Sequence, residues 1–150
     1  MAYLRGRGQN GLRRKTVAIG LNPLRSLTTG IDNVAIGQSV ADALTTGNCN
    51  IAMGHNALGA SETGCRNIAI GNLALGGANT VGIDNYAIGS LAADAITTGD
   101  CNIAIGRDAL STSTTGANNI AIGELALGAG VTTGNHNIAM GRAAADALTS

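Results

Sequence analysis

Apolar positions alternate in size within a five-residue motif that returns along the whole chain. Asn67-Ile68-Ala69-Ile70-Gly71 is one copy, with the small Ala69 set between Ile68 and Ile70. A period of two marks a short β-strand. The glycines that close the motif are Gly20, Gly37, Gly54, Gly71, Gly89, Gly106, Gly123 and Gly141, separated by 17, 17, 17, 18, 17, 17 and 18 residues. A second glycine series keeps step with the first: Gly30, Gly47, Gly64, Gly82, Gly99, Gly116 and Gly134, usually after Thr-Thr or a close variant, as in Thr45-Thr46-Gly47. Between the two series lies an Ala-Leu pair, at Ala43-Leu44, Ala57-Leu58, Ala74-Leu75, Ala109-Leu110 and Ala126-Leu127. Each unit is therefore expected to run strand, glycine turn, second short extended segment and Thr-Thr-Gly turn, which closes one coil. Helix is the weaker reading, because a helix-interior glycine costs about 1 kcal/mol relative to Ala and no stripe of period 3.6 persists across units.

One such unit cannot bury its apolar face alone, so successive units are expected to stack as rungs about 4.8 Å apart. Residues 16–150 then form a rod of eight units, the last of them partial, preceded by a separate arm at residues 1–15. At rung spacing the rod would be about 35 to 40 Å long. Equivalent residues would lie above one another. Ile36, Met53, Ile70, Ile88, Ile105, Ile122 and Met140 are expected to form a buried aliphatic column, each contributing about 1.5 to 3 kcal/mol before entropy is subtracted. Asn33, Asn50, Asn67, Asn85, Asn102, Asn119 and Asn137 would stack as an amide ladder at a coil corner, bonding along the ladder or capping the turn backbone. The recurrent glycines would supply positive φ or close backbone approach. A longer period overlies the short one: Ala41-Asp42-Ala43-Leu44-Thr45-Thr46-Gly47 returns 52 residues later as Ala93-Asp94-Ala95-Ile96-Thr97-Thr98-Gly99, and Ala145-Asp146-Ala147-Leu148-Thr149 begins it again.

Composition narrows the fold further. There is no Trp or Phe, Tyr3 and Tyr86 are the only aromatics, and 23 glycines accompany an apolar set of mostly Ala, Ile, Leu and Val. Such a chain packs thin layers closely and lacks the bulk for a wide globular core. The motif carries Ala at Ala18, Ala35, Ala52, Ala69, Ala87, Ala104, Ala121 and Ala139, a column that either lines a very narrow interior or lets another chain approach closely. A thin coil makes a poor monomeric core, which favours assembly about an axis parallel to the rod without fixing the copy number.

Formal net charge is zero, yet Arg5, Arg7, Arg13, Arg14 and Lys15 precede every acidic residue. Residues 1–15 thus read as a solvated chain end or as an attachment arm for an acidic protein surface. With no aromatic stacking residue or basic helix beside the charge, nucleic acid is not the expected partner. Neither a signal peptide nor a membrane span is recognisable.

Catalytic, cofactor and metal chemistry find little support. His55 follows a closing glycine and His136 precedes a ladder Asn, so the two hold different places in the repeat and read as exposed corner substitutions. Asp32 and Asp84 share one place but lie three units apart, about 14 Å at rung spacing. Gly71 to Gly77 forms no phosphate-binding pattern. Cys49, Cys65 and Cys101 are odd in number and lack CxxC spacing; Cys49 and Cys65 fall nearly one coil apart and are expected as a buried, reduced pair. The chain is expected not to be an enzyme and to need no cofactor.

The motif Asn67-Ile68-Ala69-Ile70-Gly71 and its seven relatives resemble the YadA-like head repeats of trimeric autotransporter adhesins. That resemblance implies an all-β repeat solenoid, a left-handed parallel β-roll of 17–18-residue coils, assembled as an intertwined homotrimer. The family's usual unit is shorter, which calls for a wider coil or a longer turn here, and no stalk or anchoring barrel accompanies the repeats. Units of this length with Thr-Thr-Gly turns are also similar to repeats in phage fibre and virion proteins. The expectation that follows is a structural protein of a bacteriophage particle, a trimeric fibre, capsid-decoration (cement) protein or short tail fibre. It would be held to capsid or tail proteins through residues 1–15 and would sometimes touch the host cell surface. The alternative is the head fragment of a bacterial surface adhesin that binds host matrix or glycan.

Overall fold

The structure, a computed structural model, describes residues 2–3, 15–130 and 133–146. It is all-β among these residues, with nine strands in one sheet: β1 (Ala2–Tyr3), β2 (Val17–Ile19), β3 (Val34–Ile36), β4 (Ile51–Met53), β5 (Ile68–Ile70), β6 (Tyr86–Ile88), β7 (Ile103–Ile105), β8 (Ile120–Ile122) and β9 (Ile138–Met140). Strands β2 to β9 are parallel neighbours in chain order. Their register sets alanine beside alanine throughout, from Ala18 and Ala35 to Ala121 and Ala139. Each strand therefore enters one rung above the last, and the chain between them makes one coil of a solenoid. β1 differs, lying antiparallel on β2 with Ala2 opposite Ile19 and Tyr3 opposite Ala18.

Period two decides which side chains fill the interior. The central alanine of β3 to β8 is fully buried, while the residues on either side of it are only partly covered. This corrects the expectation for the Ile36, Met53, Ile70, Ile88, Ile105, Ile122 and Met140 column, which faces outward; Ile88 keeps 40% of its surface exposed. The reason is geometric. Successive strand residues point to opposite faces, so an inward alanine forces both neighbours out.

The interior beneath the alanines is closed by the Ala-Leu segment. It is not the second extended piece expected from the sequence but a run of turns, in which Asn56 and Leu58, or Leu73 and Leu75, adopt φ near +50°. These turns are joined coil to coil, for example by Leu58 N donating to Ala74 O at 2.9 Å and Leu75 N to Ala92 O at 3.0 Å. Leu44, Leu58, Leu75, Ile96, Leu110 and Leu127 are fully buried there.

These large residues do not occupy one column. Where the first inward site holds Leu58 or Leu110, the site three residues on holds the buried Ser61 or Ser113; where it holds Ala41 or Ala93, the later site holds Leu44 or Ile96. Each of these coils thus carries one leucine or isoleucine across the two sites, opposite its strand alanine, and the Ala41 coil buries Val40 beside them. The alternation gives the 52-residue period its physical meaning, since the coil with Ala41 and Leu44 recurs as the coil with Ala93 and Ile96 after two coils of the other kind. A close-packed interior holds its volume constant along the rod and lets the position of that volume shift.

Candidate interaction surface and corner ladders

The outward residues of β2 to β9 make two parallel columns on one flat face. One runs Val17, Val34, Ile51, Ile68, Tyr86, Ile103, Ile120 and Ile138, and the other Ile19, Ile36, Met53, Ile70, Ile88, Ile105, Ile122 and Met140. No charged residue interrupts either column. Exposure is 37% at both Ile51 and Met53, 41% at Tyr86, and rises to 69% and 67% at Ile138 and Met140 on the last strand. At rung and residue spacing the face measures about 35 Å by 10 Å. Contiguous apolar surface of several hundred Å² on a folded protein marks a contact with another molecule.

The glycines beside this face hold the rungs close. Gly71, with φ of +136°, sits where a Cβ would run into the carbonyl of Gly89 in the next coil. The second series acts by proximity without positive φ: a Cβ at Gly116 would lie 2.8 Å from the Gly134 oxygen.

At the corner before each strand the asparagines form the expected ladder. Asn33, Asn50, Asn67, Asn85, Asn102 and Asn119 are buried and Asn137 is half-buried. Asn33 Oδ1 accepts from Asn50 N at 2.9 Å and Asn50 Nδ2 at 3.1 Å, while Asn50 Nδ2 also donates to Gly64 O at 2.8 Å. The same backbone contact links Asn50 to Asn67, Asn67 to Asn85, Asn85 to Asn102, Asn102 to Asn119 and Asn119 to Asn137. The ladder is thus closed on itself, and its amides are engaged in holding the corner. Thr16 stands in the ladder's first place, and its buried Oγ1 has no hydrogen-bond partner among the described residues.

A second capping column escaped the sequence reading. Asn48 Oδ1 accepts from Ile31 N at 2.8 Å, Asp100 Oδ1 from Ile83 N at 2.7 Å and Asn135 Oδ1 from Ala117 N at 2.7 Å. The signal lay in Asn48, Asp100 and Asn135, each two places before a ladder asparagine, and Ile31, Cys65, Ile83 and Ala117 at the same place in the other units obscured it.

Several ionisable groups stand between these two columns, since Asp32, Arg66, Asp84 and His136 each immediately precede a ladder asparagine. Arg66 meets Asp84 through two contacts of 2.8 Å, which hold the Asp84 carboxyl below and the Arg66 guanidinium above their ordinary ranges. Asp94 is shifted upward, chiefly by burial and further by the nearby Asp108. Asp32 and Asp84 belong to different coils, as the spacing implied. His55 Nδ1 lies 3.2 Å from Asn72 Nδ2, and both His55 and His136 are exposed. No group of three or more His, Cys, Asp or Glu side chains assembles a metal site among the described residues.

The expectation of a buried cysteine pair is corrected: Cys49 and Cys101 are exposed and Cys65 is half-buried, because all three sit on corners and not on the inward side of the coil. Of the basic arm, Lys15 is described and exposed, whereas Arg5, Arg7, Arg13 and Arg14 lie outside the described residues. No described helix is long and apolar enough to cross a membrane. Comparison of the chain with protein-family models, with curated proteins and with solved structures finds no match in any of the three.

Proposed function

We propose that this protein is a non-enzymatic structural element of a phage particle, a homotrimeric fibre, capsid-decoration protein or short tail fibre attached through residues 1–15. The observation that carries the reading is the uncharged, largely aliphatic face that runs the length of the rod. Left in water, that face would carry two columns of half-exposed side chains, all aliphatic or Met except Tyr86. Copies packed about an axis parallel to the rod cover it and turn a thin solenoid into a stiff shaft. The number three comes from the resemblance of the Asn-Ile-Ala-Ile-Gly units to trimeric head repeats. The basic residues Arg5, Arg7, Arg13, Arg14 and Lys15 suit an acidic protein surface on the particle, and a spacer or decoration needs no more chemistry than this.

Sedimentation equilibrium tests the assembly directly. A mass of three chains is expected, and Ile70→Glu with Ile105→Glu, both outward on the face, should give monomers that keep a β-type circular dichroism spectrum. A wild-type chain that stays monomeric at high concentration would end this reading. Location is tested by recovery: the chain should purify with virions, and deletion of residues 1–15 should release it from them. Recovery with bacterial outer membranes instead would favour the adhesin alternative.

A further inference from the structure

Two cysteines stand at adjacent corners of neighbouring coils. Cys65 occupies a place in the second capping column, where Asn48, Asp100 and Asn135 use a side-chain oxygen. Its sulfur takes over that role: Cys65 Sγ accepts from Asn48 N at 3.4 Å and donates to Thr63 O at 3.3 Å. The side chain is therefore folded back along the rod, against the backbone of the residue that immediately precedes Cys49. Cys49 follows at the corner with φ of +59° and is exposed. Arg66 N donates to Asn48 O at 2.9 Å, which fixes the register of the two coils. With Asn48 beneath Cys65 and Cys49 beneath Arg66, the two cysteine Cα atoms are offset by one rung and one residue, about 6 Å from the standard spacings. That span lies within the range a disulfide bridges.

We propose that Cys49 and Cys65 form a modification site, a dithiol that a small-molecule disulfide of the glutathione type closes into a staple between two successive coils. The exposed Cys49 thiolate attacks one sulfur of the reagent, breaks its S–S bond and expels the first reagent thiolate. Cys65, having lost its proton to solvent, then attacks the Cys49 sulfur of the mixed disulfide and expels the second. One reagent S–S bond and two protein thiols become one protein S–S bond and two reagent thiols, and two electrons pass to the reagent. The staple encloses one coil, and its formation requires Cys65 to leave its contact with Asn48 N. Cys101 supplies the internal control. It shares the exposed corner column of Cys49, yet the residue diagonally above it is Ala117, so it has no partner thiol in the next coil.

The full chain, treated with oxidised glutathione and then freed of excess reagent, should retain at most one titratable thiol out of three, that of Cys101 wherever it has not taken up glutathione. Peptide mapping should show Cys49 joined to Cys65 within one chain, glutathione only on Cys101, and reversal by dithiothreitol. Cys49→Ser should leave Cys65 either free or carrying glutathione, with no internal bond. Three things would overturn the proposal: glutathione on Cys49 beside a free Cys65, a full set of unreacted thiols, or Cys49 and Cys65 linked only between separate chains. Circular dichroism of the oxidised chain should keep the wild-type spectrum, since the bridge joins corners that already lie together.

Discussion

Gly71 combines φ of +136° with a Cα that faces the carbonyl of Gly89, so an added methyl group meets a disfavoured backbone region and occupied space at once. Gly71→Ala is expected to destabilise the fold by more than about 2 kcal/mol, read as a fall in the thermal midpoint. Asp94 reports the opposite kind of strain, an unfavourable charge. Burial, helped by the Asp108 carboxylate, raises its folded value above the unfolded value. Its contribution to stability is therefore complete below the unfolded carboxylate value of about 3.9 and is lost as pH rises through the folded value. Asp94→Asn keeps the side-chain acceptor and removes the charge, so it should raise the midpoint at pH 7 by about 1 to 3 °C, with solvent screening keeping the gain small. Near pH 3 the substituted and wild-type chains should melt together. A gain that persists in acid would assign the effect to something other than ionisation.

Between residues and rod stands the coil, and its interior obeys a volume rule more than a positional one. Leu58→Ala alone should lose about 2 to 5 kcal/mol, because Ser61 cannot fill the vacated space. Adding Ser61→Leu converts this coil to the pattern of Ala41 and Leu44 and should restore most of the loss, a coupling that a double-mutant cycle measures directly. Additive penalties would refute the rule. The amide ladder offers a gain by the same logic of matching a coil to its neighbours. Thr16→Asn places an amide where the other coils have one, within reach of Asn33 N and Gly30 O by the repeat, and should stabilise by about 1 kcal/mol in a chemical denaturation series. The period, the strands, the parallel stacking and the asparagine ladder were all legible in the sequence, because each depends on residues that recur at fixed intervals. The direction in which a column points was not. Ile36 and its equivalents carry the same aliphatic chemistry whether they face the core or the outer face, and only the alanine between the two columns decides. Nor was the Ala-Leu segment legible as turns, since Leu58 and Leu75 adopt a backbone region that leucine rarely occupies and are held there by bonds to the coils on either side.

At the scale of the whole molecule, each coil among the described residues bonds to the coil before it and the coil after it, so stability is a sum of coils and of the junctions between them. Whole coils are then removable where partial ones are not. Deleting residues 42–93 joins Ala41 to Asp94, removes β4, β5 and β6, and recreates the Ala-Asp-Ala sequence found at both ends of the block. The junction coil keeps one large side chain across the two sites, now Ile96 beside Ala41, with Val40 still next to them, and the next strand arrives with its alanine still inward. Such a chain should fold with the wild-type circular dichroism shape per residue and give a rod shorter by about 14 Å in small-angle scattering. Deleting residues 42–67 instead joins Ala41 to Ile68, bringing a strand to the place where the turn segment must lie. That chain should lose its cooperative transition, because outward isoleucines would be driven into an interior sized for one alanine and one leucine. Equal stability of the two deletions would mean that register between coils does not govern the fold.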